Sequence, residues 1–209
     1  MVVVAKSLSQ CRAALKQRQI PCPDCGQPLR PRGFAGPLKK LRGTPAGEDA
    51  RHGPRPRGQC GRCRRSHVLQ PAAVAAHRSD TLPVLARAVL ARALGGLGAT
   101  RIAALLGRAV PTVRGWPGQA RVFARRHLPA LTSWLTAMGA EDLVPRLGEH
   151  DLLTELVLVL RALAHAAAAR WGDAGLTEWE RINVMCRGRF MSATLPVPVY
   201  HELIHPGTA

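Results

Sequence analysis

The pattern of apolar and polar positions changes near residue 80. Before that point apolar runs are short and are interrupted by glycine and proline. After it, apolar residues recur every three or four positions, the spacing of an amphipathic helix. Asp80 is expected to cap a first helix that ends at the GGLG run, with core positions Leu82, Leu85, Val89 and Leu94. The chain is therefore predicted to be mainly α-helical, with a small β module at its N-terminus.

The N-terminal module, residues 1–76, has the pattern of short strands around one helix. Val2 to Val4 is a β-branched run, and Leu8, Cys11 and Leu15 follow at helical spacing. The stretch 44–56 is rich in glycine, proline and charge, so it is expected to be a mobile loop. Further strands are predicted at residues 29–34, 37–41 and 66–69.

The segment ATRIAALLGRAVPTVRGW, residues 99–116, predicts two short helices joined by a tight turn. Thr100 is expected to cap the first helix, which ends at Gly107, and the second begins three residues later. The first helix is predicted to place three apolar residues on one face: Ile102, Leu105 and Leu106. Helix, glycine turn and helix is the pattern of a helix-turn-helix, whose second helix lies in the major groove of DNA.

Pro117 interrupts the pattern of the second helix. A proline inside a helix removes an internal hydrogen bond and clashes with the preceding turn, at a cost of about 3 kcal/mol. Ala109, at the expected cap, also lacks a side-chain oxygen. The second helix is therefore predicted to be two turns long or kinked. A helix is expected to resume over residues 121–138, with a break at Pro129.

The C-terminal helical region is predicted to span residues 141–195, and residues 196–209 are expected to form an extended tail. Its helix 149–171 is apolar almost all round and must be covered, by a helical bundle or by a homodimer interface. No run reaches the roughly 18 uninterrupted apolar positions of a membrane span. The start MVVVAKSL shows no secretory pattern, so a cytoplasmic, nucleoid-associated protein without membrane contact is expected.

Four of the six cysteines, Cys22, Cys25, Cys60 and Cys63, fall in two CxxC pairs. Two such pairs facing each other supply the four thiolates of a tetrahedral zinc site. The 34 residues between the pairs exceed the roughly 15–20 of the usual signature, so the insert is expected to hold strands and a loop. The pattern predicts a zinc ribbon. A redox dithiol or a pairing without metal is the alternative, although a redox CxxC occurs singly near a βαβ pattern.

The other cysteines and the nearby histidines are weaker ligand candidates. Four cysteines complete a tetrahedron, so His52 or His67 would have to displace one of them. His67 is expected instead to pack, or to touch phosphate, at the edge of the module. Cys11 and Cys186 are expected to be small buried apolar residues.

The net charge of +17 is unevenly distributed. Residues 1–80 carry 16 Lys and Arg against 4 Asp and Glu, residues 81–140 carry 8 against none, and residues 141–209 carry 6 against 9. A basic N-terminal two-thirds indicates a polyanionic partner. Arginine enrichment from GC-rich coding sequence is the alternative, but it would affect the C-terminal third as well, and that third is not basic.

The segment 99–116 resembles the helix-turn-helix of bacterial transposase-type and regulator-type domains, with its Ile-Ala pair, Leu-Gly turn and Thr-Val-x-x-Trp start. Three more runs appear in a matching order: VVVAKSLSQCRAAL, PCPDCGQPLRPRGF and CGRCRRSHVLQPAAVAAHR. Over most of residues 1–125 the chain is similar to actinobacterial proteins of the DUF6431 kind, often described as transposon-related. The resemblance implies a zinc ribbon ahead of a DNA-binding helical domain, and it implies no established activity.

The resemblance also assigns roles to residues of the two helices. It implies that Ile102, Leu106, Val113 and Trp116 pack, while Val110, Thr112 and Arg114 face DNA. The Arg114 guanidinium can bind one guanine through two hydrogen bonds, or it can meet phosphate alone. Five further arginines are expected on the phosphate backbone: Arg101, Arg108, Arg121, Arg125 and Arg126.

An enzyme is not expected. A recombinase needs a carboxylate cluster to hold metal ions, yet residues 81–140 contain no Asp or Glu, and the acids between 141 and 155 suit the start of a helix. No Gly-rich phosphate loop, nucleophile elbow or HExxH motif occurs. The prediction is a zinc-dependent protein that binds double-stranded DNA and no small-molecule substrate. An RNA-binding zinc-ribbon protein, a decayed transposon relic and an interaction adaptor using helix 149–171 are the alternatives.

Overall fold

The computed structural model describes residues 2–5, 8–36, 54–75, 80–172 and 175–191. In chain order its elements are β1 (Val2–Ala5), α1 (Leu8–Lys16), β2 (Leu29–Ala35), β3 (Arg55–Cys60), β4 (Ser66–Pro71), α2 (Leu82–Ala93), α3 (Ala99–Leu106), α4 (Val110–Ala137), a 3₁₀ turn (Glu141–Leu143), α5 (Leu152–Trp171) and α6 (Glu178–Met185). The predicted class, mainly helical with a small N-terminal sheet, is confirmed. The predicted strand 37–41, most of the predicted loop 44–56 and the tail 196–209 lie outside the described residues.

The described residues divide into two compact units. The first contains the described residues up to Thr81 together with residues 175–190, and the second contains residues 82–172 and Met191. The predicted region 141–195 is thus divided between them, with α5 in the second unit and α6 in the first.

The first unit is built on one small sheet, in the strand order β1-β4-β3-β2. The three strands β2, β3 and β4 are antiparallel, and β1 pairs in parallel with β4. Helix α1 packs closely on one face: a Cβ added to Gly58 of β3 would lie 3.0 Å from Leu15 of α1. The core of this unit joins Cys11, Leu15, Ile20, Leu29 and Leu69 with Val184 of α6 and with two cysteines of the CxxC pairs.

Helix α6 is fixed to the first unit by polar contacts as well as by its apolar side. Thr177 and Glu180 form a reciprocal capping box at its start. Asn183 is fully buried, and its Nδ2 donates to the backbone carbonyls of Ala72, at 2.9 Å, and Val74, at 3.0 Å, beyond the end of β4. Hydrogen bonds between residues more than 100 positions apart in the sequence therefore hold α6 in the first unit.

The second unit consists of α2, α3, α4 and α5, with α4 in contact with the other three helices. The buried side of α4 includes Val113, Trp116, Phe123, Leu131 and Leu135. On α5 the residues Leu153, Leu156, Leu160 and Leu163 are buried. The turn between α3 and α4 begins at Gly107, which takes the left-handed conformation that glycine adopts without strain.

Helix α4 corrects two predictions about proline. It is continuous over 28 residues, about 42 Å, through both Pro117 and Pro129. It is not two turns long and it is not broken at Pro129, while the alternative prediction of a kink at Pro117 stays a prediction. Pro117 is itself buried, and packing of one whole side of α4 against three helices offsets the local cost of the two missing N–H groups.

Three local predictions were also wrong. Gly98, not Thr100, is the N-cap of α3, so Thr100 lies within the first turn. Leu94 and Leu105 are 53% and 55% exposed rather than buried. Both lie near the end of a short helix, beyond the reach of a covering neighbour. The cap prediction failed because Gly98 already has the extended conformation that a cap requires, at φ −72° and ψ 157°.

Helix α5 starts three residues later than predicted because Asp151 caps it. The Asp151 carboxylate accepts hydrogen bonds from the Leu153 N–H, at 3.0 Å, and the Thr154 hydroxyl, at 2.6 Å. Among the described residues α5 alone is long and apolar enough to cross a membrane. In the most apolar 18-residue stretch of α5, 56% is buried inside the protein. The core helix of a soluble protein can be equally long and apolar, so these two properties are weak evidence for a membrane span.

Candidate metal centre and candidate nucleic-acid surface

The two CxxC segments fold into backbone turns of the same design. In the first, the Gly26 N–H donates to the Cys22 carbonyl at 2.9 Å and the Cys22 N–H donates to the Gln27 carbonyl at 2.8 Å. In the second, the Arg64 N–H donates to the Cys60 carbonyl at 3.1 Å and the Cys60 N–H donates to the Arg65 carbonyl at 2.9 Å. The residue after each pair has a positive φ, +71° at Gly26 and +62° at Arg64.

These turns bring the four thiols together. The Sγ atoms of Cys22 and Cys63 are 3.6 Å apart, those of Cys25 and Cys60 are 3.4 Å apart, and all four lie within 4.8 Å of one another. A tetrahedral ion with metal–sulfur bonds of about 2.3 Å needs sulfur–sulfur distances of about 3.8 Å. The arrangement can therefore hold one metal ion. The four predicted ligands are brought together.

The thiols have contrasting electrostatic environments. Burial raises the pKa of Cys22 to about 12, whereas hydrogen bonding from the backbone of Cys63 lowers the pKa of Cys60 to about 6. Ionisation of one thiol disfavours ionisation of its neighbours, because thiolates at such short distances repel one another. A divalent cation removes that repulsion, and thiolate sulfur is the donor type that zinc accepts in structural sites.

His67 lies beside the thiols rather than among them. Its Nε2 is 3.6 Å from the Sγ of Cys22 and 3.4 Å from a carboxylate oxygen of Asp24, whose other oxygen is 3.3 Å from Arg65. The side chain is only 7% exposed, and burial lowers the His67 pKa. It therefore packs against the cysteine cluster and is not available to phosphate at the surface. Its contact with Cys22 was not predicted, because nothing in the local sequence relates residues 45 positions apart.

The remaining cysteines are separate from this centre. Cys11 and Cys186 are buried, as predicted, and burial raises their thiol pKa values to about 11 and about 12. Cys11 lies in the core of the first unit. His52, the other histidine considered as a ligand, lies outside the described residues.

The first turns of α4 expose polar residues on one side and bury apolar residues on the other. Thr112 and Arg114 are exposed, and Val113 and Trp116 are buried. Ile102 of α3 is buried as well, whereas Leu106 and Val110 are intermediate. Because consecutive helical residues are rotated by about 100°, Arg114, Arg121 and Arg125 lie within about 20° of one line along α4.

The other predicted DNA contacts are more scattered. Arg101 is exposed at the start of α3, and Arg126 borders a cleft of about 350 Å³ beside the exposed Val122. The Arg108 guanidinium donates to the carbonyls of Leu106 and Gly107 at 3.3 and 3.1 Å, so it fastens the turn between α3 and α4. Arg121 lies 3.9 Å from the carboxylate of Asp151, the cap of α5.

A comparison of the chain with protein-family models, with curated proteins and with solved structures finds no match.

Proposed function

We propose that this chain is a zinc-dependent DNA-binding protein and not an enzyme. In this proposal α3 and α4 form a helix-turn-helix for the major groove of double-stranded DNA, and the cysteine module is a basic zinc ribbon that contacts the phosphate backbone. The resemblance to transposon-related proteins supports a role with a mobile element or in transcription regulation, in the cytoplasm at the nucleoid.

The exposed side of α4 carries the DNA-binding part of the proposal. Arg114, Arg121 and Arg125 form a stripe about 16 Å long, and residues 81–140, which include all of α4, contain no carboxylate, although Arg121 lies 3.9 Å from the carboxylate of Asp151 at the start of α5. Such a row of cations on a helix beside an exposed threonine matches the phosphates that border a groove. Arg114 is nearest the start of the helix, the part that reaches base edges in a helix-turn-helix.

Zinc is proposed because the four thiols lie within 4.8 Å of one another, which suits a soft-ligand tetrahedral site. The ion would join the loop before β2 to the end of β3, thereby closing the first unit. Metal-binding free energy then adds directly to the stability of that unit.

The zinc part is tested by metal analysis of protein purified without added metal. We expect about one zinc per chain, lost in Cys60→Ala and kept in the matched control Cys11→Ala, which also removes a buried thiol. Metal-free wild-type protein that keeps its fold, or a zinc content well below one, contradicts this part of the proposal.

The DNA part is tested by selection from a random duplex library with the wild type, Arg114→Ala and the control Arg125→Ala. We expect Arg114→Ala to lose discrimination at one position of the enriched motif, at a cost of about 1–3 kcal/mol for the preferred base. Arg125→Ala should weaken all sequences about equally and lower the salt slope by about one ion. Wild-type protein that enriches no motif contradicts specific recognition and favours a decayed or non-specific binder.

A further inference from the structure

A β-bulge in β2 determines which face of the sheet Phe34 occupies. Pro31 pairs with Gly58 and Phe34 pairs with Pro56, so three steps along β2 match two steps along β3. Gly33 within the bulge has φ +73°, a conformation that favours glycine. Directly paired residues point to the same face. Phe34 therefore faces the side of Pro56 and Gly58, the side that α1 covers, and without the extra residue it would face the opposite side.

Phe34 borders a groove of about 240 Å³ on this face. Leu15, Pro31 and Pro56 give the groove an apolar part, and Arg12 and Lys16 of α1 give it a cationic part. Phe34 is 58% exposed, although a phenylalanine in a sheet of this size would ordinarily join the core. The fold thus holds an aromatic ring at the surface beside positive charge.

Arg12 is oriented towards this ring. Its guanidinium carbon lies 5.6 Å from the ring centroid, and its Nη2 donates to the Pro54 carbonyl at 3.2 Å. Its Nε is buried without a hydrogen-bond partner among the described residues. A cation over an aromatic ring is a favourable arrangement, and it leaves the exposed part of the Phe34 ring accessible.

The described part of the first unit that carries the groove is strongly basic, and the two charged residues that line the groove, Arg12 and Lys16, are both cations. Residues 8–36 and 54–75 contain five Lys and Arg each but only one acid, Asp24, which is already paired with Arg65. A ligand for this surface must therefore be anionic, and it must offer a flat face to Phe34. A nucleotide combines both properties, whereas an acidic peptide supplies only the charge.

We propose that this groove binds an unpaired nucleotide of single-stranded DNA, with the base stacked on Phe34 and the phosphates near Arg12 and Lys16. Stacking on an aromatic side chain needs an exposed base face, which a paired base inside a duplex does not offer. The stacking site is therefore distinct from the surface proposed on α4, and it lies on the basic module that is proposed to contact duplex phosphates, a contact in which the Phe34 ring has no part.

The test is fluorescence anisotropy of labelled oligothymidylate and of a labelled duplex, with the full zinc-loaded chain at one salt concentration. Phe34→Ala is expected to weaken single-strand binding about 5- to 150-fold, the range for loss of one stacked base. Duplex affinity should stay unchanged. Phe34→Leu, apolar but without a π face, should lose single-strand affinity as well, while Phe34→Trp should retain it and show quenching of the added indole.

Charge and specificity are tested in the same assay. Lys16→Gln should reduce the salt slope of single-strand binding by about 0.7, while Arg18→Gln, outside the groove, should leave it unchanged. The proposal is overturned if Phe34→Ala or Phe34→Leu binds oligothymidylate like the wild type, or if single-strand and duplex affinity fall by the same factor. Tighter binding of oligouridylate than of oligothymidylate overturns the assignment to DNA. Zinc content and thermal midpoint of each variant show that the fold is kept.

Discussion

The two cysteine turns share one backbone design but differ at the residue that needs a positive φ. The first turn has Gly26 there, whereas the second has Arg64 at φ +62°. A left-handed conformation costs a residue with a Cβ about 1–2 kcal/mol. Replacing Arg64 by glycine removes that strain. Glycine also gives the unfolded chain more conformational entropy, which stabilises the unfolded state by about 0.4–1 kcal/mol. Arg64→Gly is therefore expected to change stability by between zero and about +1.5 kcal/mol.

The reverse substitution in the first turn should have the opposite sign. A Cβ added at Gly26 meets nothing within 4 Å, so Gly26→Ala tests backbone strain without a steric clash. The strain of about 1–2 kcal/mol opposes an entropic gain of about 0.4–1 kcal/mol, which leaves a net loss of between zero and about 1.5 kcal/mol. Because each turn positions thiols for the metal, zinc affinity should fall by up to about tenfold.

Gly61 provides the matched control, since it lies inside the second turn but does not have a positive φ. A Cβ there would lie 3.8 Å from Arg30, an ordinary contact, so Gly61→Ala should be neutral or slightly stabilising. Zinc affinity is measured by competition with a chromophoric chelator at fixed pH, and stability by urea unfolding of the zinc-loaded protein. If Arg64→Gly weakens zinc binding while Gly26→Ala does not, the equivalence of the two turns is wrong.

Three further predictions concern the helices. Asp151→Ala should cost about 0.5–2 kcal/mol in urea unfolding. The hydrogen bond from the Thr154 hydroxyl lowers the Asp151 pKa. The difference in unfolding free energy between wild type and variant should therefore be present above about pH 4 and vanish as the pH falls through the lowered pKa. A difference that persists at lower pH would contradict the capping role. Pro129→Ala, at an exposed position inside α4, should stabilise the protein by up to about 3 kcal/mol, and a loss in thermal midpoint would show that the proline is required. Asn183→Ala leaves the buried Ala72 carbonyl unpaired, while the Val74 carbonyl keeps its hydrogen bond from the Gln70 side chain, so the substitution should cost about 1–3 kcal/mol without changing zinc content, and an effect below about 0.5 kcal/mol would be inconsistent with those bonds.

The local features of the fold could be predicted from the sequence, and the long-range ones could not. The CxxC spacing is sufficient to bend each segment into a turn, so the thiol cluster follows from two short motifs. The attachment of α6 to the N-terminal unit depends on Asn183 reaching carbonyls more than 100 residues away, and no periodic pattern encodes that contact. The face on which Phe34 lies depends on one extra residue in β2, which an alternation rule cannot detect.

The homodimer predicted through helix 149–171 stays a prediction. The apolar residues of α5 are largely buried within its own unit, and its exposed positions include Arg161, His165 and Arg170. A stable dimer interface has an apolar centre that excludes water. A second copy therefore has little apolar surface to cover on α5 itself, and sedimentation of the zinc-loaded chain across a concentration series measures whether it associates.

The continuity of α4 bears directly on the proposed DNA surface. The sequence predicted that the second helix is two turns long or kinked at Pro117, and a helix of two turns would have left Arg121 and Arg125 on a separate element with no fixed relation to Arg114. In the structure Pro117 lies on the buried side, where it packs in the core, while its missing N–H costs one hydrogen bond. The helix therefore continues, and the three arginines are held at fixed separations along one stripe. A rigid stripe can match phosphates that are themselves regularly spaced, which a flexible pair of short helices could do only at a larger entropic cost.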